Sequence, residues 1–206
     1  MGLKIYGVPR SRAIRTLWMV QELGIPYELV EVAPGAEGSG KAEYLSRNPT
    51  GAVPWIEDDG MVLWESLAIN LYLSKKYPSA LGPKDVAEDG RMAMWGFWSA
   101  IEIEPRAAAA MYNTSVLPPN ERNPAAASSA LEALKRPLQI LEKALRNGGG
   151  FLVGGRFTVA DLNAVTCVFY LRFTPQALAD KPAIRAWYDA AMARPANRVA
   201  FAMRGD

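Results

Sequence analysis

The 206-residue sequence contains no histidine and one cysteine, Cys167. The absence of histidine excludes a Ser-His-Asp triad, a Cys-His pair and a histidine metal site. A single cysteine excludes an internal disulfide and a CxxC redox pair, which fits a reducing compartment. An enzyme of this composition would work with hydroxyls, carboxylates, arginine, lysine or backbone dipoles, or with a reactive group supplied by a cofactor.

The sequence also lacks a charge excess and a long apolar segment. Lys and Arg number 23 against 21 Asp and Glu, a net charge of +2, so the overall charge favours neither nucleic acid nor an anionic membrane as a partner. The amino-terminal residues contain no apolar run of signal-peptide length. No stretch approaches the roughly 20 apolar residues of a membrane span. We therefore expect a soluble, cytoplasmic protein.

The residues that are present are typical of two small folded domains. Half of them are apolar and six are Trp, enough for a sizeable core. Residues 1–79 contain 6 alanines and residues 80–206 contain 26, so the second part favours helix. Prolines and a glycine between Tyr77 and Pro83 indicate a linker. We predict a first domain over 1–79, a linker over 80–86 and a helical domain over 87–206.

Strand and helix patterns alternate in the first part in the order β-α-β-α-β-β-α. Apolar runs predict strands over 3–6 and 27–32, on either side of a helix that ends at Gly24 and Pro26. The sequence Asp58-Asp59-Gly60 between two further apolar runs predicts a hairpin. A short helical segment precedes this hairpin and a longer helix follows it. The predicted bounds of these last elements are 42–46, 53–57, 61–64 and 65–76.

The second part shows helical patterns and no strand pattern. Thr158 and Asp161 have the spacing of a capping box, which we assign to stability. Pro137 is expected to kink the helix that contains it. The fold class is therefore α/β plus all-α. The predicted helices cover 87–112, 125–147, 159–173 and 182–193.

Two hydroxyl side chains coincide with predicted helix starts. Ser11 lies where the first helix begins, and its hydroxyl either caps that helix or donates to a bound anion. Glu65 and Ser66 lie at a strand-to-helix junction. They either cap the helix or hold the ammonium and carboxylate of an α-amino-acid group.

Other residues have a simpler interpretation. The turn over 48–54 contains Pro54, and a cis bond after Val53 would turn the Val53 backbone towards an extended ligand. Cys167 is interpreted as a buried inert thiol. The aromatic residues 95, 97 and 98 are interpreted as core or interface.

In their order and spacing, the motifs resemble the cytosolic glutathione transferase family in its bacterial-type, serine-type form. The resemblance covers nearly the whole chain. The motifs are Tyr6-Gly7-x-Pro9-x-Ser11-x-x-x-Arg15, Glu22-Leu23-Gly24-Ile25-Pro26-Tyr27-Glu28, Asn48-Pro49-x-Gly51-x-Val53-Pro54, Asp59-Gly60, Glu65-Ser66-x-Ala68-Ile69-x-x-Tyr72-Leu73 and Thr158-x-Ala160-Asp161.

This resemblance implies a thioredoxin-like N-terminal domain, an all-helical C-terminal domain, a homodimer and glutathione as co-substrate, with no metal. It implies that Ser11 hydrogen-bonds the glutathione sulfur. Because glutathione brings the nucleophile, the protein needs neither histidine nor cysteine. Residues implied to bind glutathione are Lys41, Val53, Pro54, Glu65 and Ser66. Residues expected to contact a hydrophobic electrophile are Pro9, Arg10 and Tyr112.

Some positions depart from the family pattern. Ala52 stands where many members have Lys or Gln, which puts one contact to the glycyl carboxylate in doubt. Arg10 stands where cysteine-type members have their nucleophile, which argues against disulfide exchange. Tyr6 is an alternative to Ser11, and Arg10 or Arg12 could also stabilise a thiolate.

The resemblance implies a transferase that conjugates glutathione to small hydrophobic electrophiles. Two alternatives remain at this point. One is a glutathione-dependent peroxidase or dehalogenase on the same fold, and the other is a non-catalytic binding module.

Overall fold

The computed structural model of the protein describes residues 2–205. The first residue of the predicted first domain, Met1, and the last residue of the predicted helical domain, Asp206, lie outside the described residues. The chain forms two compact units. The first contains the chain up to Gly82 together with the residues from Met192 onward. The second contains Pro83–Ala191. The carboxyl-terminal segment thus belongs to the first unit, whereas the sequence analysis assigned it to the helical domain; the domain boundaries themselves stay predictions.

A four-stranded sheet forms the centre of the first unit in the described part of the chain. The strand order is β2-β1-β3-β4, with β1 parallel to β2 and the other pairs antiparallel. The predicted order of strands and helices is confirmed, and Asp59-Gly60 connects the hairpin. The elements are β1 (Lys4–Tyr6), α1 (Ala13–Leu23), β2 (Glu28–Val30), α2 (Ala42–Leu45), β3 (Trp55–Asp58), β4 (Met61–Trp64) and α3 (Ser66–Lys76).

The two faces of this sheet carry different apolar layers. Tyr6 and Trp55 are register partners, and both rings contact Tyr44 of α2. Because side chains alternate along a strand, the neighbouring partners Ile5 and Ile56 lie on the opposite face, where both are fully buried. Tyr6 is therefore part of the core on the α2 side.

Helix α1 ends as the sequence predicts. Gly24 has φ 63°, in the left-handed region that glycine adopts readily, and its amide donates to the carbonyls of Gln21 and Val20. The helix begins at Ala13, two residues after Ser11, so Ser11 lies in the turn that leads into it.

One helix of the first unit is not predicted by the sequence pattern. α9 (Pro195–Ala202) packs along α1, with Phe201 in an edge contact on the ring of Trp18 at 6.4 Å between centroids. The segment is short and follows a predicted helix after only a few residues, so its own pattern carries little signal.

Within residues 83–191, the regular structure of the second unit is helical apart from an isolated β-bridge between Val153 and Arg156. Its α-helices are α4 (Val86–Trp98), α5 (Glu104–Met111), α6 (Pro124–Asn147), α7 (Val159–Val168) and α8 (Pro182–Met192). The thioredoxin-like domain followed by an all-helical domain is therefore confirmed.

The helical region predicted over 87–112 is confirmed, although it is not α-helical throughout. A π-helical turn, Ser99–Ile103, separates α4 from α5. Pro105 has no N–H to donate to the carbonyl of Ile101, which explains the irregular backbone. The Arg106 guanidinium donates to the Ile101 and Glu102 carbonyls instead, at 3.2 and 2.6 Å.

The predicted helix over 159–173 is also shorter than expected, because α7 ends at Val168 and continues as a 3-10 turn, Phe169–Phe173. At its start, the capping box of Thr158 and Asp161 is confirmed. Cys167, later in the same helix, is fully buried as predicted. The kink at Pro137, which lies inside α6, stays a prediction.

Candidate functional site

One cleft of the first unit collects side chains from three segments that are distant in sequence. It brings together the predicted pairs Val53-Pro54 and Glu65-Ser66. It also contains Arg12, one of the alternatives for stabilising a thiolate, and Ala52, a departure from the family pattern. The lining residues are Arg12, Asn48, Thr50, Ala52, Val53, Pro54, Glu65 and Ser66.

The start of α3 gives the cleft a site for a carboxylate. The amide of Ile69 donates to the carbonyl of Glu65 at 2.9 Å, so Ser66 opens the first turn of the helix. The positive end of the helix dipole at this point favours a bound anion. Ser66 adds a buried hydroxyl, which accepts from Nη1 of Arg15 at 3.4 Å.

Glu65 holds an unusual backbone conformation at this helix start. Its φ is 73° and its ψ is 107°, and within residues 2–205 only Asp59 is a second non-glycine residue with positive φ. Such a conformation costs on the order of 1–3 kcal/mol and is found preferentially at functional sites. The Glu65 side chain is exposed at the cleft and supplies a negative charge beside the amide-rich helix end.

Val53 and Pro54 form the opposite wall. Their peptide bond is cis, as predicted. The strand expected to begin at Val53 begins instead at Trp55, so both residues lie just outside the β3 ladder.

The turn before them is held by its own polar groups. Asn48 accepts from the Thr50 amide at 3.1 Å and the Thr50 hydroxyl at 2.7 Å, and donates to the Ala52 carbonyl at 2.8 Å. Asn48 and Thr50 were not predicted as lining residues. The sequence signal for them is the Asn before Pro49, which is typical of a side-chain-to-backbone turn.

Ser11 lies in the loop between β1 and α1. Its hydroxyl donates to the Val8 carbonyl at 2.7 Å and accepts from the Ala13 amide at 3.1 Å. The second bond is of the capping type, so Ser11 stabilises the start of α1. The hydroxyl is also partly exposed, so it can exchange the Val8 carbonyl for another acceptor.

Gly7 brings this loop against the opposite wall of the cleft. A Cβ on Gly7 would lie 2.8 Å from the Cβ of Ala13 and 3.4 Å from that of Val53, and its φ is 150°. Any larger residue would push the start of α1 away from Val53. The glycine thus sets the distance between the Ser11 loop and the Val53-Pro54 wall.

Tyr6, the alternative to Ser11, has a different environment. Its ring is 5% exposed and stacks on Trp55. Burial, together with a hydrogen bond to the carboxylate of Glu57, raises the pKa of Tyr6 to about 12. Its hydroxyl is therefore engaged on the α2 side of the sheet.

Neither Ser11 nor Tyr6 is among the residues that line this cleft, and the remaining predicted residues do not line it either in the described part of the chain. Lys41 is exposed and immediately precedes α2. Pro9 is half-buried, and the Arg10 guanidinium donates to carbonyls of the carboxyl-terminal segment. Tyr112 is an exposed residue of the second unit.

Residues 2–205 contain no group of three or more His, Cys, Asp or Glu placed to hold a metal ion. A search of the same residues finds no helix with the length and apolar character to cross a membrane.

Comparison with known proteins supports a single family. Residues 1–75 match the N-terminal domain model of glutathione S-transferase, and residues 104–195 match the C-terminal domain model. Glutathione S-transferase 4 of Zea mays is 32% identical over 97% of this chain and 92% of that protein. Glutathione transferase F7 from Populus trichocarpa aligns with a TM-score of 0.86 at 27% identity, covering 98% of both chains. A theta class glutathione S-transferase from Xanthomonas axonopodis pv. citri, solved with glutathione bound, has a TM-score of 0.84 at 29% identity over 97% of both chains.

Proposed function

The chain belongs to the glutathione S-transferase family, and we propose that it conjugates the glutathione thiolate to small hydrophobic electrophiles. The observation that carries this proposal is the pairing, in one cleft, of the Glu65-Ser66 helix start with the Val53-Pro54 wall. The first offers charges for an α-amino-acid group, and the second offers backbone for an extended peptide.

Binding follows from the charges of the cleft. In this proposal, the α-carboxylate of the γ-glutamyl group binds at the start of α3, where the helix dipole and the Ser66 hydroxyl favour it. The ammonium is placed beside the Glu65 carboxylate. The cysteinyl unit pairs with the backbone of Val53, and Lys41 is assigned to the glycyl carboxylate.

Ser11 is proposed to stabilise the thiolate. A free thiol has a pKa of about 8.5 and is mostly protonated at pH 7. When the Ser11 hydroxyl donates to sulfur instead of to the Val8 carbonyl, it favours the thiolate. The nearby start of α1 favours the same charge through the helix dipole. Tyr6 is the weaker candidate, because its ring is buried on Trp55 and because burial and the neighbouring Glu57 carboxylate raise the pKa of its hydroxyl to about 12.

The reaction is then a nucleophilic substitution or addition at carbon. The thiol proton leaves to solvent, and a sulfur electron pair forms the new C–S bond. With an aromatic halide, the carbon–halogen bond breaks and halide departs with its electron pair. Residues proposed to contact the electrophile are Pro9, Arg10 and Tyr112.

We also propose that the protein is a homodimer. β4 is an edge strand in which Met61, Val62 and Trp64 are 37–39% exposed. In the second unit, three apolar side chains at helical spacing are 52–65% exposed, namely Met94, Phe97 and Ile101. Exposed apolar stripes of this kind mark association surfaces.

Light scattering tests the homodimer. The wild type should have twice the mass of one chain, and Phe97→Glu should shift the measured mass towards that of one chain. A monomeric wild type contradicts the proposal.

Two measurements test the function. Purified protein should be retained on immobilised glutathione and eluted by free glutathione. It should consume thiol in the presence of an aromatic halide. Retention without thiol consumption supports the non-catalytic binding module instead. Turnover of a hydroperoxide or release of halide from an aliphatic substrate, in the absence of aromatic conjugation, supports the peroxidase or dehalogenase alternative.

A further inference from the structure

The carboxyl-terminal segment, defined here as residues 194–205, runs along α1 in the opposite direction. At one end, Arg194 forms a two-pronged ion pair with Glu22, at 2.6 and 2.7 Å. At the other end, the Arg10 guanidinium donates to the carbonyls of Arg204 and Gly205, at 2.8 and 3.2 Å. Arg10, which precedes α1, is thus bonded to the residues after α9. Arg194, which precedes α9, is bonded to Glu22 near the end of α1.

Buried contacts fix the segment between these two ends. Trp18, fully buried, packs against Phe201 and donates from its indole N–H to Glu22 at 2.9 Å. The Glu22 side chain is 7% exposed and that of Arg194 is 34% exposed, so the carboxylate end of this ion pair is shielded from solvent. α9 is therefore held firmly on α1 at several points along its length.

Arg10 immediately precedes Ser11. In the short loop from Val8 to Ala13, the amide and hydroxyl of Ser11 donate to the Val8 carbonyl, and the Ala13 amide donates to the Ser11 hydroxyl. When the Arg10 guanidinium is bound to two carbonyls, the loop can adopt fewer conformations. The guanidinium is planar and rigid, so it loses little conformational entropy for each hydrogen bond that it forms.

We infer that the carboxyl-terminal segment is a positioning element for Ser11, acting through Arg10. This inference rests on the proposed function of Ser11, and it assigns Arg10 a role that does not require contact with the electrophile. The segment holds Arg10, Arg10 holds the loop, and the loop presents the Ser11 hydroxyl to the sulfur.

The test compares full-length variants. Arg10→Met removes the donors, and Phe201→Ala loosens the helix that leads to the acceptors without touching the cleft. Each should lower kcat about tenfold at pH 6.5 and leave the KM for glutathione within twofold, because a small misplacement of a group costs rate more than binding. Each should also move the rise of kcat/KM with pH to higher pH, which a merely structural loss would not do.

The matched control is Arg122→Met. Arg122 also donates to two backbone carbonyls through Nε and Nη2, those of Leu117 and Ser115, at 2.7 and 2.9 Å. Its replacement should leave the pH profile where it is. A pH shift in this control equal to that of Arg10→Met would overturn the inference.

The double variant separates the two possible roles of Arg10. If Arg10 acts through the segment, its replacement should cost much less in the Phe201→Ala background than in the wild type. Equal costs in both backgrounds mean that Arg10 acts on the substrate directly, and the inference is then wrong.

Hydrogen exchange of the backbone amides tests the positioning role of the segment without a measurement of catalysis. The amides of Ser11 and Ala13 should exchange several-fold faster in Arg10→Met and in Phe201→Ala than in the wild type. Unchanged exchange in both variants refutes the positioning role even if the wild type is an active transferase. Faster exchange in a protein with no transferase activity refutes the proposed function and leaves the structural link standing.

Discussion

Tyr6 stacks on Trp55, with ring centroids 4.7 Å apart and ring planes at 8°. The stack places the only tyrosine of β1 in the core on the α2 side of the sheet, where its ring also contacts that of Tyr44. Since the two aromatic residues are register partners on neighbouring strands, the sheet itself determines where the Tyr6 hydroxyl can reach. This relationship supports the proposal that Ser11, and not Tyr6, stabilises the thiolate.

We therefore expect Ser11→Ala to lower kcat with an aromatic halide about a hundredfold, in the range for losing one donor to a developing or stabilised anion. Tyr6→Phe should keep kcat within about threefold, because it removes a hydroxyl that faces Glu57. Steady-state kinetics at pH 6.5 with saturating glutathione checks both. The reverse pattern, an active Ser11→Ala and an inactive Tyr6→Phe, contradicts the assignment of Ser11.

Ala52 is an exposed residue of the cleft wall and lacks a charge for the glycyl carboxylate. Ala52→Lys should lower the KM for glutathione about fivefold, corresponding to about 1 kcal/mol from one exposed ion pair. Ala52→Met has a side chain of similar length without the charge and should leave the KM within twofold. Equal effects of Lys and Met would mean that side-chain length, and not charge, matters at this position.

Glu88 in the second unit accepts two bonds from the Arg156 guanidinium, at 2.9 and 2.7 Å, and one from the Lys84 amide at 2.9 Å. The hydrogen bonds from Arg156 and from the Lys84 amide lower the pKa of Glu88 to about 2. Because the pKa of Glu88 is lower in the folded protein, its carboxylate binds a proton more tightly in the unfolded chain than in the folded one. The stabilisation is therefore complete above the unfolded pKa of about 4.3 and is lost as pH falls towards 2.

Glu88→Gln should accordingly lower Tm by a constant amount from pH 5 to 7, and the difference from the wild type should narrow between pH 4.5 and 2. Thermal melts across this range provide the measurement. Glu132→Gln is the control, because Glu132 and its partner Lys135 are 70% and 68% exposed and such pairs contribute little. A Tm difference for Glu88→Gln that does not change with pH would contradict this account.

Asp161 is fully buried and does more than cap α7. Its carboxylate accepts from the amide and hydroxyl of Thr158, at 2.9 and 3.0 Å, and from the Leu152 amide and the Trp187 indole, both at 3.0 Å. Asp161→Ala leaves several buried donors without an acceptor and should lower the free energy of unfolding by about 3 kcal/mol or more.

Thr158→Ala loses only the cap and should cost about 1 kcal/mol. Urea unfolding of both variants, with the slopes compared, gives the two values. If the two variants lose the same stability, the bonds to Leu152 and Trp187 contribute nothing and the prediction fails.

Features that depend on neighbours within a few positions are those that the sequence predicts well. The Gly24 cap, the Asp59-Gly60 hairpin and the capping box of Thr158 and Asp161 are all confirmed. In each, the bond joins residues one turn apart, so the residue types alone specify the geometry. The helical region over 87–112 is also confirmed, but its sequence pattern does not reveal the π-helical turn before Pro105.

The βαβαββα order, the helical second part, the absence of histidine chemistry and the Glu65-Ser66 and Val53-Pro54 pairs can all be read from the residue types and their spacing. The stacking of Tyr6 on Trp55, the packing of α9 on α1 and the bond from Arg10 to Arg204 become visible only in the folded chain. The reason is physical: local bonds follow from adjacent residue types, whereas these contacts join residues up to 194 positions apart and form only when the chain packs.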